Sequence, residues 1–186
     1  MHSPGTSWIQ ACPNITVSLT NATICSGVTS IGPDAFDACT SLTSITIPSS
    51  VNNIGRYAFE GCPELASIYF TGNAPTTNLN VFEDDNATVY YLPGATGWSG
   101  SFDGRPAMLW NPAIQTADGS FGVSNNHFGF NVTGTTNIPI VVEACTNLAN
   151  SVWTSLRTLT LTNGSIYFSD FKWTNYPCRY YRIAAP

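Results

Sequence analysis

The chain has 186 residues, 43% hydrophobic and only 9% charged, against about 25% charged in an ordinary soluble domain. Eleven acidic residues outweigh six basic ones (Arg56, Arg105, Arg157, Lys172, Arg179 and Arg182), for a net charge of −5, which excludes tracking a nucleic-acid backbone by charge. No run reaches the ~20 apolar residues of a membrane helix, so surface polarity must come from Thr, Ser, Asn and Gly, as in exported β-rich and repeat proteins.

The opening Met1-His2-Ser3-Pro4-Gly5 has neither the basic nor the apolar region of a signal peptide. If the protein is exported, the chain is therefore expected to be a fragment of a longer parent. Next, Cys12-Pro13-Asn14-Ile15 echoes Cys62-Pro63-Glu64-Leu65 and predicts a degenerate first copy of a repeat. Clean copies follow. The stretch from Ser30 to Ile47 recurs 23 residues later, from Asn53 to Phe70, pairing Ile31 with Ile54, Ala35 with Ala58, Phe36 with Phe59, Cys39 with Cys62, Leu42 with Leu65, Ile45 with Ile68 and Ile47 with Phe70. Matched positions are apolar or small, whereas Asp34/Tyr57, Asp37/Glu60 and Thr40/Pro63 drift, as outward positions do. Phe82 lies another 23 residues on, ahead of a strand-like Ala87-Thr88-Val89-Tyr90-Tyr91 that arrives two residues early.

Such a period predicts a solenoid. Leu-x-x-Ile-x-Ile alternates side chains on a strand, and Ala-Phe with Cys three residues on marks a short helical turn opposite. One unit cannot bury its own apolar face, and at ~1.5–3 kcal/mol per buried large side chain stacking of neighbours stabilises the coil. Alternation points Ser44, Thr46, Ser67, Tyr69 and Tyr90 away from the interior, as the candidate ligand-binding face. Trp98, Phe102 and Trp110, beside Tyr90 and Tyr91, are read as the cap over the last coil's apolar face.

From Ala113 the period stops. Gln115 to Ser120 reads as a linker, followed by strand-like Phe128–Val132, Ile138–Ala144, Val152–Leu161, Ser165–Phe168 and Arg179–Ile183 with turn residues between them. The fold class expected is mainly β: a short leucine-rich-repeat solenoid of parallel strands and short helical turns over residues 1–112, then a small antiparallel β-sandwich over 113–186.

Chemistry-bearing residues are sparse. Cys39 and Cys62 hold equivalent positions on adjacent coils, ~4.8 Å apart; a disulfide could span that distance, but paired buried thiols explain a recurring small residue better. Cys12 with Cys25, and Cys145 with Cys178, are further pairings left open. His2 and His127 are isolated, and no zinc spacing occurs. Glu83, Asp84, Asp85, Asp103, Asp118 and Glu143 show no acid–base pair spacing, and Glu83 to Asp85 lacks the spaced ligand run of a calcium loop. No nucleophile elbow, Walker or dinucleotide motif is found, so no enzyme activity, metal or cofactor is expected. Sequons begin at Asn14, Asn21, Asn86, Asn131 and Asn163.

The pattern Ser-Ile-Gly-x-x-Ala-Phe-x-x-Cys-x-x-Leu-x-x-Ile-x-Ile-Pro resembles the BspA-like class of bacterial leucine-rich repeats over residues 12–92. Ala87 to Gly94, through Trp98 to Trp110-Asn111-Pro112, is similar to the capping turn of such arrays. Val141 to Leu148, Trp153, Tyr167 to Asp170 and Asn175 to Arg182 resemble modules found beside them, with the look of a fibronectin-III-like accessory domain. The resemblance implies an extracellular or cell-surface, non-enzymatic protein, monomeric, that binds a protein or glycan for recognition or adhesion. The alternative is a spacer and cap at the end of a longer exported protein whose activity lies upstream.

Overall fold

The computed structural model describes residues 20–186; the echo at Cys12 to Ile15 lies outside them. The chain divides into two compact units, one ending at Leu109 and one running Trp110–Pro186.

The first unit contains β1 (Asn21–Thr23), β2 (Ser30–Ile31), β3 (Ser44–Ile47), β4 (Asn53–Ile54), β5 (Ser67–Phe70), β6 (Thr76–Thr77), β7 (Thr88–Tyr91), β8 (Ser101–Phe102) and β9 (Arg105–Leu109). They alternate between two sheets, ordered β1-β3-β5-β7-β9-β8 and β2-β4-β6. All pairings are parallel except the terminal β8–β9 hairpin, so the described part is a β-solenoid. Register follows the sequence repeat: Ile45 faces Ile68 and Ile47 faces Phe70 across 23 residues, then Ile68 faces Val89 across 21, the early return seen in the sequence. Between the sheets lie Ile31, Leu42, Ile45, Ile54, Leu65, Ile68 and Val89, each almost fully buried. Phe36, Phe59 and Phe82 form a column at the corner, with centroids 5.0 and 5.5 Å apart and near-parallel rings.

That corner is not the expected helical turn. Asp34, Tyr57 and Asn80 have φ of 56°, 57° and 59°, and Ala38, Gly61 and Asp84 have 54°, 67° and 62°. Two left-handed residues per coil, each recurring every 23 positions, interrupt any right-handed run, at ~1–2 kcal/mol for a side-chain-bearing residue there. The coils also approach closely where Ile-Gly recurs: a Cβ on Gly55 would sit 2.6 Å from the carbonyl carbon of Gly32. Because the obstacle is backbone, Gly55→Ala is expected to lower stability by about 1–3 kcal/mol, read as a fall in the urea midpoint; an unchanged midpoint would mean the coils are not in close contact.

Trp98 and Phe102 cap the last coil, as expected. Trp98 stacks on Tyr91 at 5.1 Å, meets Phe70 at 4.9 Å and Phe102 at 5.0 Å, and its indole N–H donates to Gly72 O at 3.1 Å. The Trp110 indole N–H donates to Pro139 O at 2.9 Å.

The second unit has β10 (Ala113–Ile114), β11 (Gly122–Ser124), β12 (His127–Thr133), β13 (Pro139–Cys145), β14 (Thr154–Thr160), β15 (Ser165–Asp170) and β16 (Tyr180–Ala184), plus a 3-10 turn at Trp173–Asn175. They form two antiparallel sheets: β12 flanked by β15 and by β10 and β11, and β13 flanked by β14 and β16. Tyr181 of β16 meets Phe128, Phe130 and Phe168 of the other sheet at 5.0, 5.7 and 6.1 Å. Residues 115–120 are not a linker. Gln115 donates to Thr133 Oγ1 at 2.6 Å, and the Asp118 carboxylate accepts from Ser120 and from Asn131, binding the segment to β12.

Candidate recognition surface

The candidate face lies on β3, β5 and β7, where Thr46, Tyr69 and Tyr90 are register partners, as are Ser44 and Ser67. None of the five belongs to the core cluster formed by their strand neighbours, in agreement with alternation. They do not, however, form an open face. Tyr69 is 5% and Tyr90 7% exposed, and Ser44 9%; only Thr46 and Ser67 are partly exposed. The two tyrosines stack at 5.1 Å, and burial raises both phenols above their usual pKa, partly offset by hydrogen bonds to Ser67 and Thr88 respectively. Ser44 donates to Asn21 Oδ1 at 2.7 Å, which Thr43 also reaches at 3.1 Å, tying β3 to the strand before it.

The corner supplies a second ordered surface. Asp37, Glu60 and Glu83 recur at 23-residue steps, with Asp34 and Asp84 nearby. The Glu60 carboxyl is held above its usual pKa by partial desolvation, then by Asp37, Glu83, Asp84 and Asp34. Like charges in register oppose stacking, so the apolar column beneath has to outweigh them. The sequence shows the Asp37/Glu60 pair only as an outward mismatch; adding Glu83 to it would have revealed the ridge. Arg56 lies over the Tyr57 ring at 4.2 Å.

Below the ridge Asp85 is 2% exposed and accepts the Cys62 N–H at 2.9 Å, while Arg105 Nη1 donates to the Asp85 carbonyl. One coil on, Asp103 accepts the Val81 N–H at 2.9 Å. These carboxylates replace backbone acceptors in the turns, and Asp85 is a buried structural group. The Cys62 thiol, 3.1 Å from Phe36 O, is pushed up to about 12 by burial and then by Asp85, which leaves it protonated and inert.

Cysteine equivalence breaks at this position. Cys39 is disulfide-bonded, against the expectation of two matched thiols, whereas Cys62 stays free. Cys25, Cys145 and Cys178 are also free, so neither Cys12–Cys25 nor Cys145–Cys178 is formed. Among the described residues no three His, Cys, Asp or Glu side chains gather as metal ligands, and no helix is long and apolar enough to cross a membrane.

Residues 10–96 match the model of the BspA type leucine rich repeat region, in 6 copies. That segment is a BspA-like leucine-rich-repeat region. The match spans the coils that carry the phenylalanine column and the acidic ridge, and the second unit lies beyond it. Repeats of this family are typically found at surfaces or secreted, and typically in proteins without catalytic activity. No curated protein and no solved structure matches the chain.

Proposed function

We propose that this chain is an exported or cell-surface recognition module, non-enzymatic and monomeric, which binds a protein or glycan through its BspA-like repeat surface and carries a fibronectin-III-like accessory unit. The observation that supports this reading is the coil-by-coil register: Thr46, Tyr69 and Tyr90 recur on successive strands, and Asp37, Glu60 and Glu83 on successive corners. Equivalent groups one coil apart make an extended periodic surface, suited to a ligand much larger than a pocket.

The partly exposed Thr46 and Ser67 are the positions at which to test it, because alanine at Tyr69 or Tyr90 would disturb buried packing as well. The chain binds a ligand from a glycan array or a panel of extracellular matrix proteins, and Thr46→Lys with Ser67→Lys weakens that binding about tenfold or more with the melting temperature unchanged. Equal binding by the double variant removes the strand face from the account. Burial of Ser44, Tyr69 and Tyr90 favours a second reading, in which the coils are a spacer and cap; absence of any ligand for the wild-type chain supports it.

A further inference from the structure

Charge is divided unevenly between the units. Residues 1–109 hold two basic side chains and eight acidic ones, whereas 110–186 hold Arg157, Lys172, Arg179 and Arg182 against only Asp118, Glu143 and Asp170. Two of those four cations converge. A cavity of about 430 Å³ is lined by Lys172, Arg179 and Tyr176 with Thr146 and Thr154, and one of about 230 Å³ shares Tyr176 and Arg179 and adds Trp173.

The groups are held in place before any ligand arrives. Asp170, 7% exposed, accepts from the Tyr181 hydroxyl at 2.9 Å and from the Lys172 N–H at 2.8 Å, and lies 2.7 Å from Arg179 Nη1. The Arg179 side chain is only 10% exposed, and its Nη1, although close to the carboxylate, has no aligned hydrogen-bond acceptor. Nη1 is instead taken up by the ion pair with Asp170, while the Arg179 side chain as a whole lines both cavities. The same guanidinium lies 4.2 Å over one face of the ring of Tyr176, a residue that remains 40% exposed. The Trp173 indole is fixed by its N–H to Asn126 O at 3.1 Å.

We propose that the second unit carries a binding site for a carboxylated sugar of the uronic-acid type, with Arg179 and Lys172 taking the carboxylate and Tyr176, with Trp173, covering the apolar C–H face of the ring. Arg179 supplies donors in the fork geometry that suits a carboxylate. Asp170 cancels one of the two cations, so Lys172 provides the surplus charge that favours an acidic sugar over a neutral one. Fixed aromatic rings give contact area at little entropic cost. The larger cavity falls in the range of small-ligand sites, about 300–1,000 Å³, enough for one or two sugar rings but short for an extended peptide. This site does not involve the repeat strands.

Calorimetric titration of the full chain with trigalacturonic acid tests it, with the neutral galactose trisaccharide and a short oligoglutamate as comparisons. Expected is saturable binding of the uronate that weakens with added salt, with the neutral sugar and the oligoglutamate each about tenfold weaker or more. Lys172→Gln and Tyr176→Ala, both at exposed positions, each weaken the uronate by about fivefold or more at an unchanged melting temperature, and Lys172→Arg retains it. No binding up to about 10 mM, equal affinity for the neutral sugar, or wild-type affinity in both Lys172→Gln and Tyr176→Ala overturns the site. Oligoglutamate binding as tightly as the uronate overturns the sugar assignment. The Thr46→Lys, Ser67→Lys variant should bind the uronate normally, so failure of the repeat-face reading and failure of this one are distinguishable.

Discussion

Phe59→Ala is expected to lower the unfolding free energy by about 3–5 kcal/mol, a large share of the ~5–15 kcal/mol that holds most domains folded. Phe59 is fully buried and is the middle ring of the column, 5.0 Å from Phe36 and 5.5 Å from Phe82. Its removal costs the transfer free energy of the ring and leaves a cavity that neither neighbour can fill, because each is fixed to its own coil by strand pairing. Chemical denaturation followed by the far-ultraviolet signal should show the midpoint falling with the slope kept. Phe36→Ala and Phe59→Ala together should depart from additivity, since the two rings touch. A loss below about 1 kcal/mol for Phe59→Ala alone would mean that the coils do not stack in register, and the repeat surface would lose its physical basis.

The column was legible because its constraint is written in side chains: an interior position shared by successive coils accepts a narrow set of shapes, so Phe36, Phe59 and Phe82 recur. The left-handed positions carry a backbone constraint instead, and the residues meeting it differ. Asp34, Tyr57 and Asn80 share no side-chain character, nor do Ala38, Gly61 and Asp84, so the turns read as helical. Alternation gave the side of the strand on which Tyr69 and Tyr90 lie, but a local pattern carries no information on what covers that side. Cys39 and Cys62 show the same limit, as equivalent places in the repeat hold one bonded and one free sulfur. In the second unit β12 to β16 were visible as runs of apolar and β-branched residues. The short β10 and β11 were missed because two or three residues establish no period, and the polar 115–120 segment hid the side-chain bonds that secure it. The Arg179 site gathers Lys172, Trp173, Tyr176 and Arg179 from the single short segment between β15 and β16, which the sequence shows as an irregular connection with no motif to mark it.

Asp85 supplies the second large effect, as a dependence of stability on pH. Its carboxyl is pushed up to about 7 from an ordinary 3.8, first by burial and also by Asp84, against the lowering effects of the Cys62 N–H and Arg105. Below the unfolded value the group is protonated in both states and costs nothing. Between 3.8 and about 7 the unfolded chain gives up the proton while the folded chain keeps it, so the folded state binds more protons and stability falls as pH rises. Above about 7 the full penalty is present, and the separation of the two values corresponds to roughly 4 kcal/mol. Stability measured from pH 4 to pH 8 should therefore decline and then level off. Asp85→Asn keeps an oxygen to accept the Cys62 N–H and cannot ionise, so it should flatten that decline and be more stable than wild type at pH 8, by up to about 4 kcal/mol. Asp85→Ala separates the two contributions: it removes the charge but leaves the Cys62 N–H without an acceptor, a loss of about 1–3 kcal/mol at every pH. If Asp85→Asn instead follows the wild-type curve in parallel, the carboxyl is ionised in the fold throughout, stabilised by Arg105, and the corner is held by an ion pair rather than by a neutral acceptor.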